Sequence, residues 1–405
     1  MSTLLADGDT ELSPSAFSLN GDDGPSIETV PRRPSFLRRV RGRLARGFRL
    51  AFEAFWLTTV LAVMTALPVV QLIAFGYLLD VAGKLARGGA IGQSLQWLKP
   101  AGQFGLAMIA TFAIALPIAV LGHFAHVADV VTPGSAEGKV MRRIAGVLVG
   151  VGLVHLGWAW ARGGRLRHYL WPQPIEFVKR GWRPSTWALA IDRFGEWLAS
   201  WRLGQKFWLG FRGALATLVW LLPGIVIIAA NRNGETGLAG LVGVMALAAL
   251  GVALMYLPML QANFAAEGRF GAMFEVGRIR RDFRAAPWAW LGAMVLSLVL
   301  LPIPLYLLKI EPPPRELVWL PTWLFIAFML PARIACGLAL RRARGREPRQ
   351  GWWGALSRGV ARTLLLPVVV TYLLFVALSQ IVSWDGLQTW VQQHAVLVPV
   401  PFVGG

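Results

Sequence analysis

Three side chains able to bind a metal or pass a proton fall on one helical face. His123, His126 and Asp129 stand at i, i+3 and i+6, an arc of about 120° on an α-helix. His155 lies in the following apolar stretch, from which it could face them. Imidazole with carboxylate suits a transition metal or a proton relay. These four residues are the metal candidates, and the three histidines would carry an enzymatic reading. The plainer reading is favoured: polar residues near a helix end meet water and lipid head groups. No catalytic residue, resident metal or cofactor is therefore assigned.

Other polar groups sit inside apolar sequence. Arg212 and Arg333 are charges within apolar blocks, where a central charge costs on the order of 2.5–3.5 kcal/mol unless it faces protein or water. Both lie towards one end of their block and are expected to snorkel to the nearest polar surface. Gln71, Gln103, Gln261, Asn263 and Gln380 are amides suited to interhelical hydrogen bonds. The motifs of hydrolases, kinases, P-loop proteins and zinc proteases are absent. Cys336 is the only cysteine, which excludes an intramolecular disulfide and a multi-thiolate metal site.

The elements that must position these residues are read from composition. The 405 residues are 56% hydrophobic and only 15% charged, with mean hydropathy +0.55; soluble domains carry about 25% charge. Eight apolar blocks follow one another, at about 54–79, 104–131, 144–161, 207–230, 238–266, 287–308, 316–340 and 363–383. Each is near the roughly 20 residues that span a bilayer. The expected fold is all-α, a polytopic helical membrane bundle with Pro-broken helices. The net charge of +19 is not read as nucleic-acid binding, because the basic residues sit in short segments between apolar blocks.

Charge orders those segments. Residues 80–103, 162–206, 267–286 and 341–362 hold 24 basic residues, whereas 132–143, 231–237, 309–315 and 384–405 hold 6. The positive-inside rule puts the rich set in the cytoplasm. Residues 1–31 are polar, acidic and without Lys or Arg, the composition of a disordered tail. Residues 32–53 carry eight Arg, with Phe36, Val40, Leu44, Phe48 and Phe52 every four residues. That pattern is a basic amphipathic juxtamembrane helix suited to anionic head groups. If block 54–79 crossed, these eight Arg would join the poor side. A re-entrant block, broken at Pro68 and followed by Gln71, removes the conflict. The expectation is N-terminus cytoplasmic, seven crossings, and 384–405 an extracytoplasmic tail. Segment 162–206 reads as a cytoplasmic amphipathic insertion, with Trp187, Ile191, Phe194, Leu198 and Trp201 in one stripe. Gly146, Gly150 and Gly157 are small residues suited to close helix packing. Arg makes up 34 of the 40 basic residues, in keeping with a GC-rich bacterial source and a cytoplasmic (inner) membrane.

Leu67-Pro68-Val69-Val70-Gln71 is echoed by Leu257-Pro258-Met259-Leu260-Gln261, and more loosely by Leu330-Pro331. A proline frees a carbonyl that a nearby amide can satisfy. The run Leu67-Pro68, Gly76-Tyr77-Leu78-Leu79 and a short basic helix resembles an uncharacterised family of prokaryotic multi-pass membrane proteins, a domain of unknown function. Residues from Pro258 through Glu267-Gly268, Phe274 and the Arg278–Arg284 cluster resemble its second half. The two stretches are 67–110 and 255–300, and 162–206 looks like an insertion. The resemblance implies no activity and transfers no functional residue. Three functions are compatible: a non-catalytic scaffold or accessory subunit with membrane-protein partners, a small-molecule transporter, or a membrane-embedded metalloenzyme.

Overall fold

A computed structural model describes residues 36–231, 237–301 and 319–382, with His394 and Leu397. The expected acidic tail, 1–31, and nearly all of 384–405 lie outside the described residues. The chain divides into two units, Met1–Phe48 and Arg49–Gly405. In the first, residues 36–48 are helical, and Leu44 and Phe48 are 70% and 77% exposed.

The described residues are helical throughout their regular elements. Helix α1 spans Phe36–Ala66, α2 Gln71–Ala86, α3 Ile91–Ser94, α4 Leu98–Val131 and α5 Ala136–Ala161. Short α6 (Leu166–Leu170) and α7 (Pro174–Arg180) lead to α8, Pro184–Ser200. Then come α9 (Leu203–Asn231), α10 (Gly237–Glu267), α11 (Val276–Ala285), α12 (Pro287–Val295), α13 (Leu320–Arg344) and α14 (Trp352–Val382). Seven helices among the described residues are long and apolar enough to cross a membrane, or eight if the bent pair α11–α12 counts as one span. The protein is an all-α, multi-pass membrane bundle.

Block 54–79 is two helices. Pro68 supplies no N–H, and Val69 adopts φ 68°, a conformation that costs a β-branched residue energy. The chain turns there, with Gln71 N–H donating to Leu67 O at 3.0 Å. Helix α1 runs without a break through residue 53, where the composition changes. Backbone hydrogen bonding is indifferent to whether a helix face is basic or apolar. A second sharp bend, 110°, joins α11 to α12. It falls before Pro287, where the preceding residue is pushed out of helical geometry.

Helix α2 lies at the centre. Most of its residues, from Ala74 to Ala86, are buried. Glycines let three neighbours reach its backbone. A Cβ at Gly76 would stand 1.8 Å from the Lys206 carbonyl oxygen of α9, and one at Gly210 would stand 1.9 Å from that of Leu72. Gly83 meets Ala265 of α10, and Gly337 of α13 meets Ala82. The glycines picked out on α5 play no such part. A Cβ at Gly146 or Gly150 would meet nothing within 4 Å, and Gly157 faces the Trp187 ring.

Polar contacts gather the four basic segments at one end. Asp80 pairs with Lys206 at 2.6 Å and with Lys84 at 2.7 Å. Trp97 Nε1 donates to Trp201 O at 2.9 Å while its ring stacks on Tyr77. Arg341 donates to Gly89 O at 3.2 Å, and Arg344 reaches Glu267 at 3.5 Å. Glu53 packs on Gly102, so α1 leaves this end and α2 returns to it.

Candidate functional site

Two polar assemblies and one cluster that does not form take in Gln261, Asn263, Arg333 and the four metal candidates. The first assembly is a buried hub. Gln261, on α10 one turn after Pro258, donates through Nε2 to Thr217 Oγ1 of α9 and to Leu397 O, both at 2.8 Å. Its Oε1 accepts from Arg333 Nη1 of α13. The Arg333 guanidinium also lies over the Phe75 ring of α2, 5.5 Å from its centroid. Arg333 is 3% exposed, enclosed in the bundle with an amide and an aromatic face among its neighbours. Arg212 is half-buried, with its guanidinium 5.6 Å from the Phe264 ring centroid. His394 and Leu397 are fully buried, and His394 Nδ1 hydrogen-bonds Tyr372 OH at 2.8 Å.

The two Leu-Pro-x-x-Gln stretches differ in structure. Pro68 sits at the corner between α1 and α2, whereas Pro258 lies within continuous α10. Pro331 is likewise inside α13. The Gln71 Oε1 is buried without a hydrogen-bond partner among the described residues, and Gln261 bridges three neighbours. Neighbouring helices, not the local motif, set the outcome.

The second assembly is ionic and caps the basic end. Glu267, at the last position of α10, pairs with Arg278 at 2.9 Å and with Arg344. Asn263 donates to Ala272 O at 2.8 Å and to Glu275 at 3.3 Å, and accepts from Arg344 at 2.5 Å. Burial opposes ionisation of Glu275, but hydrogen bonds from Asn263, Arg269 and Arg278 outweigh it and hold the carboxyl below its usual range. Arg87 donates to Ala265 O and Ala266 O at 2.9 and 2.7 Å, covering carbonyls that the end of α10 leaves open. In the sequence, Glu267 and Asp80 adjoin apolar blocks 238–266 and 54–79. Their pairing is not legible there, because their partners are remote in sequence.

The histidine cluster does not assemble. His123 and His126 are exposed on α4, and Asp129 pairs with Arg142 of α5. Gly152 of α5 meets Ile114 of α4. That antiparallel register sets His155 level with Thr111, about 18 Å along the axis from His123 at 1.5 Å per residue. His155 Nε2 instead donates to Tyr169 O at 2.8 Å. Among the described residues no three His, Cys, Asp or Glu side chains are grouped to hold a metal ion.

The comparisons with known proteins bear on the same helices. Residues 190–310 match the family model described as Protein of unknown function (DUF4013). The DUF4013 stretch runs from the middle of α8 past the end of α12 and includes Thr217, Gln261, Asn263, Glu267 and Glu275. It contains the second of the two resembling stretches, 255–300, and not the first, 67–110. It begins inside segment 162–206, so 190–206 belongs to the matched stretch. No curated protein and no solved structure matches the chain.

Proposed function

We propose that the protein is a non-catalytic scaffold or accessory subunit of a membrane complex in a bacterial cytoplasmic membrane. The observation that carries this reading is the filled centre. Helix α2 fills the centre of the bundle with buried side chains. Backbone contacts at Gly76, Gly83 and Gly337 press α9, α10 and α13 onto it. In the buried hub, Gln261 is directed at Thr217 and Arg333. The basic end faces the cytoplasm and an anionic leaflet, with the N-terminus inside and the C-terminus outside. The α1–α2 hairpin, which leaves and regains the basic end, supports that topology.

The test is cross-linking in intact membranes followed by purification of the tagged full chain in mild detergent. A membrane protein retained in stoichiometric amount is expected. A chain that purifies alone and drives solute uptake in proteoliposomes overturns the proposal. A C-terminal reporter that reads cytoplasmic overturns the topology. One observation favours transport as the second reading: Gln261 and Arg333 stand beside Pro258 and Pro331 inside apolar helices, and proline-interrupted helices often mark transport sites. The uptake assay decides between the two.

A further inference from the structure

An open hollow of about 830 Å³ lies between the C-terminal end of α5 and helices α6, α7 and α8. Arg162, Arg167, Arg180, Arg183 and Arg193 line it, against one carboxylate, Glu176. The five guanidiniums divide into two groups. Arg162 donates to His168 O at 2.6 Å, Trp171 O at 3.0 Å and Gln173 Oε1 at 2.9 Å, and Arg193 donates to Ala161 O. These two hold the walls in place. Arg167 spends only its Nε, on His168. Arg180 and Arg183 are exposed, and neither side chain makes a hydrogen bond or ion pair among the described residues. The Ser185 and Thr186 hydroxyls complete the polar lining.

We propose that this hollow binds the phosphate of an anionic phospholipid headgroup, with Arg167, Arg180 and Arg183 as its ligands. A planar guanidinium fork matches phosphate geometry, and basic pockets beside spanning helices on the cytoplasmic side take such head groups. The rim points to a lipid as the source of the phosphate. Trp171 and Leu189 line the hollow and are 66% and 54% exposed. Leu170, adjacent to Trp171 in the chain, is exposed as well. Acyl chains have a surface to follow from the headgroup towards the bilayer. The positive field at the site has an internal reporter. Burial and then the nearby Arg162, Arg167, Arg165 and Arg193 depress the basicity of His168.

The proposal rests on the reading that the basic end faces an anionic leaflet, and its test is independent of topology. The full chain is purified in neutral detergent, and lipid retention is read by native mass spectrometry. Phosphatidylglycerol is expected to be retained in preference to phosphatidylcholine. R180Q/R183Q is expected to weaken retention about 30-fold, at roughly fivefold per surface arginine. The charge-matched control R346Q/R349Q, and glycerol 1-phosphate or inorganic phosphate as free competitors, are expected to have little effect. R167Q is a second variant that reads the same site, with about fivefold loss expected. Equal retention by R180Q/R183Q and wild type overturns the site. An equal loss in R346Q/R349Q reduces the effect to bulk charge and overturns it too. Displacement by the free phosphates at the concentration of the lipid overturns the lipid as occupant.

Discussion

Alanine at Gly76 puts a methyl 1.8 Å from the Lys206 carbonyl oxygen, where real Cβ contacts stay beyond 3.0 Å. Helices α2 and α9 must therefore part by about 1.2 Å. The obstacle is backbone, so no side chain can swing aside, and the cost belongs at the upper end of overpacking, about 3 kcal/mol. Parting the helices also loosens the reciprocal contact of Gly210 with Leu72, and a gap of 0.5–1 Å forfeits roughly a quarter to a half of the dispersion well. Alanine returns about 1 kcal/mol through helix propensity. The net loss expected is about 2 kcal/mol, roughly 30-fold in the folded-to-unfolded ratio. Titrating the purified protein with SDS in mixed micelles, followed by tryptophan fluorescence, measures it. G146A and G150A calibrate the result. With nothing within 4 Å, they are expected to gain up to about 1 kcal/mol. If G76A unfolds at the same SDS fraction as G146A, the glycine-mediated central packing is wrong. G76A with G210A should cost less than the two singles added, because one separation relieves both clashes.

Gln261→Leu removes one acceptor from Arg333 and the amide partner of Thr217. A loss of about 1–2 kcal/mol in the same titration is expected, in the range of buried polar contacts in membrane bundles; no loss would mean that the hub is not a stabilising contact. His168 has a basicity lowered first by burial and then by four arginines, so it favours folding in the neutral form. That contribution is complete above about pH 6.5 and is lost as pH falls through the lower folded value. Hydrogen-exchange protection of 165–171, corrected for intrinsic rates, should therefore drop between about pH 7 and pH 5. Protection that stays flat in wild type but changes in H168N would remove histidine as the cause.

The span-forming blocks were legible because apolar length is a one-dimensional property. The stripe on α8 was legible for a similar reason, although half of it faces away from the protein: Trp201 is buried while Ile191 and Phe194 are exposed. The division of block 54–79 was visible in Pro68, and the continuity of α1 across residue 53 was not, because composition changed there and backbone geometry did not. The close-packed glycines were missed for a different reason. Gly146 and Gly150 look as suitable as Gly76 and Gly210, and only the partner backbone distinguishes them. His155 could have faced His123, because sequence does not fix the register of α4 against α5. Arg333 was expected to snorkel, and Gln261 accommodates it from 72 residues away.

The central helix imposes an order on the making of the protein. Helix α2 leaves the ribosome well before α9, α10 and α13, the helices that surround it. The 126 residues that separate Asp80 from Lys206 take on the order of 10 s to synthesise at typical elongation rates. Throughout that interval Asp80 has its local partner Lys84 and awaits α9, and Gly76 and Gly83 offer a bare backbone groove to whatever lies alongside. A 16-residue helix rises only about 24 Å, short for a bilayer, and so it is poorly held by lipid alone. Its packing is complete only once α9, α10 and α13 have arrived, so the middle of this bundle is made before the helices that finish it.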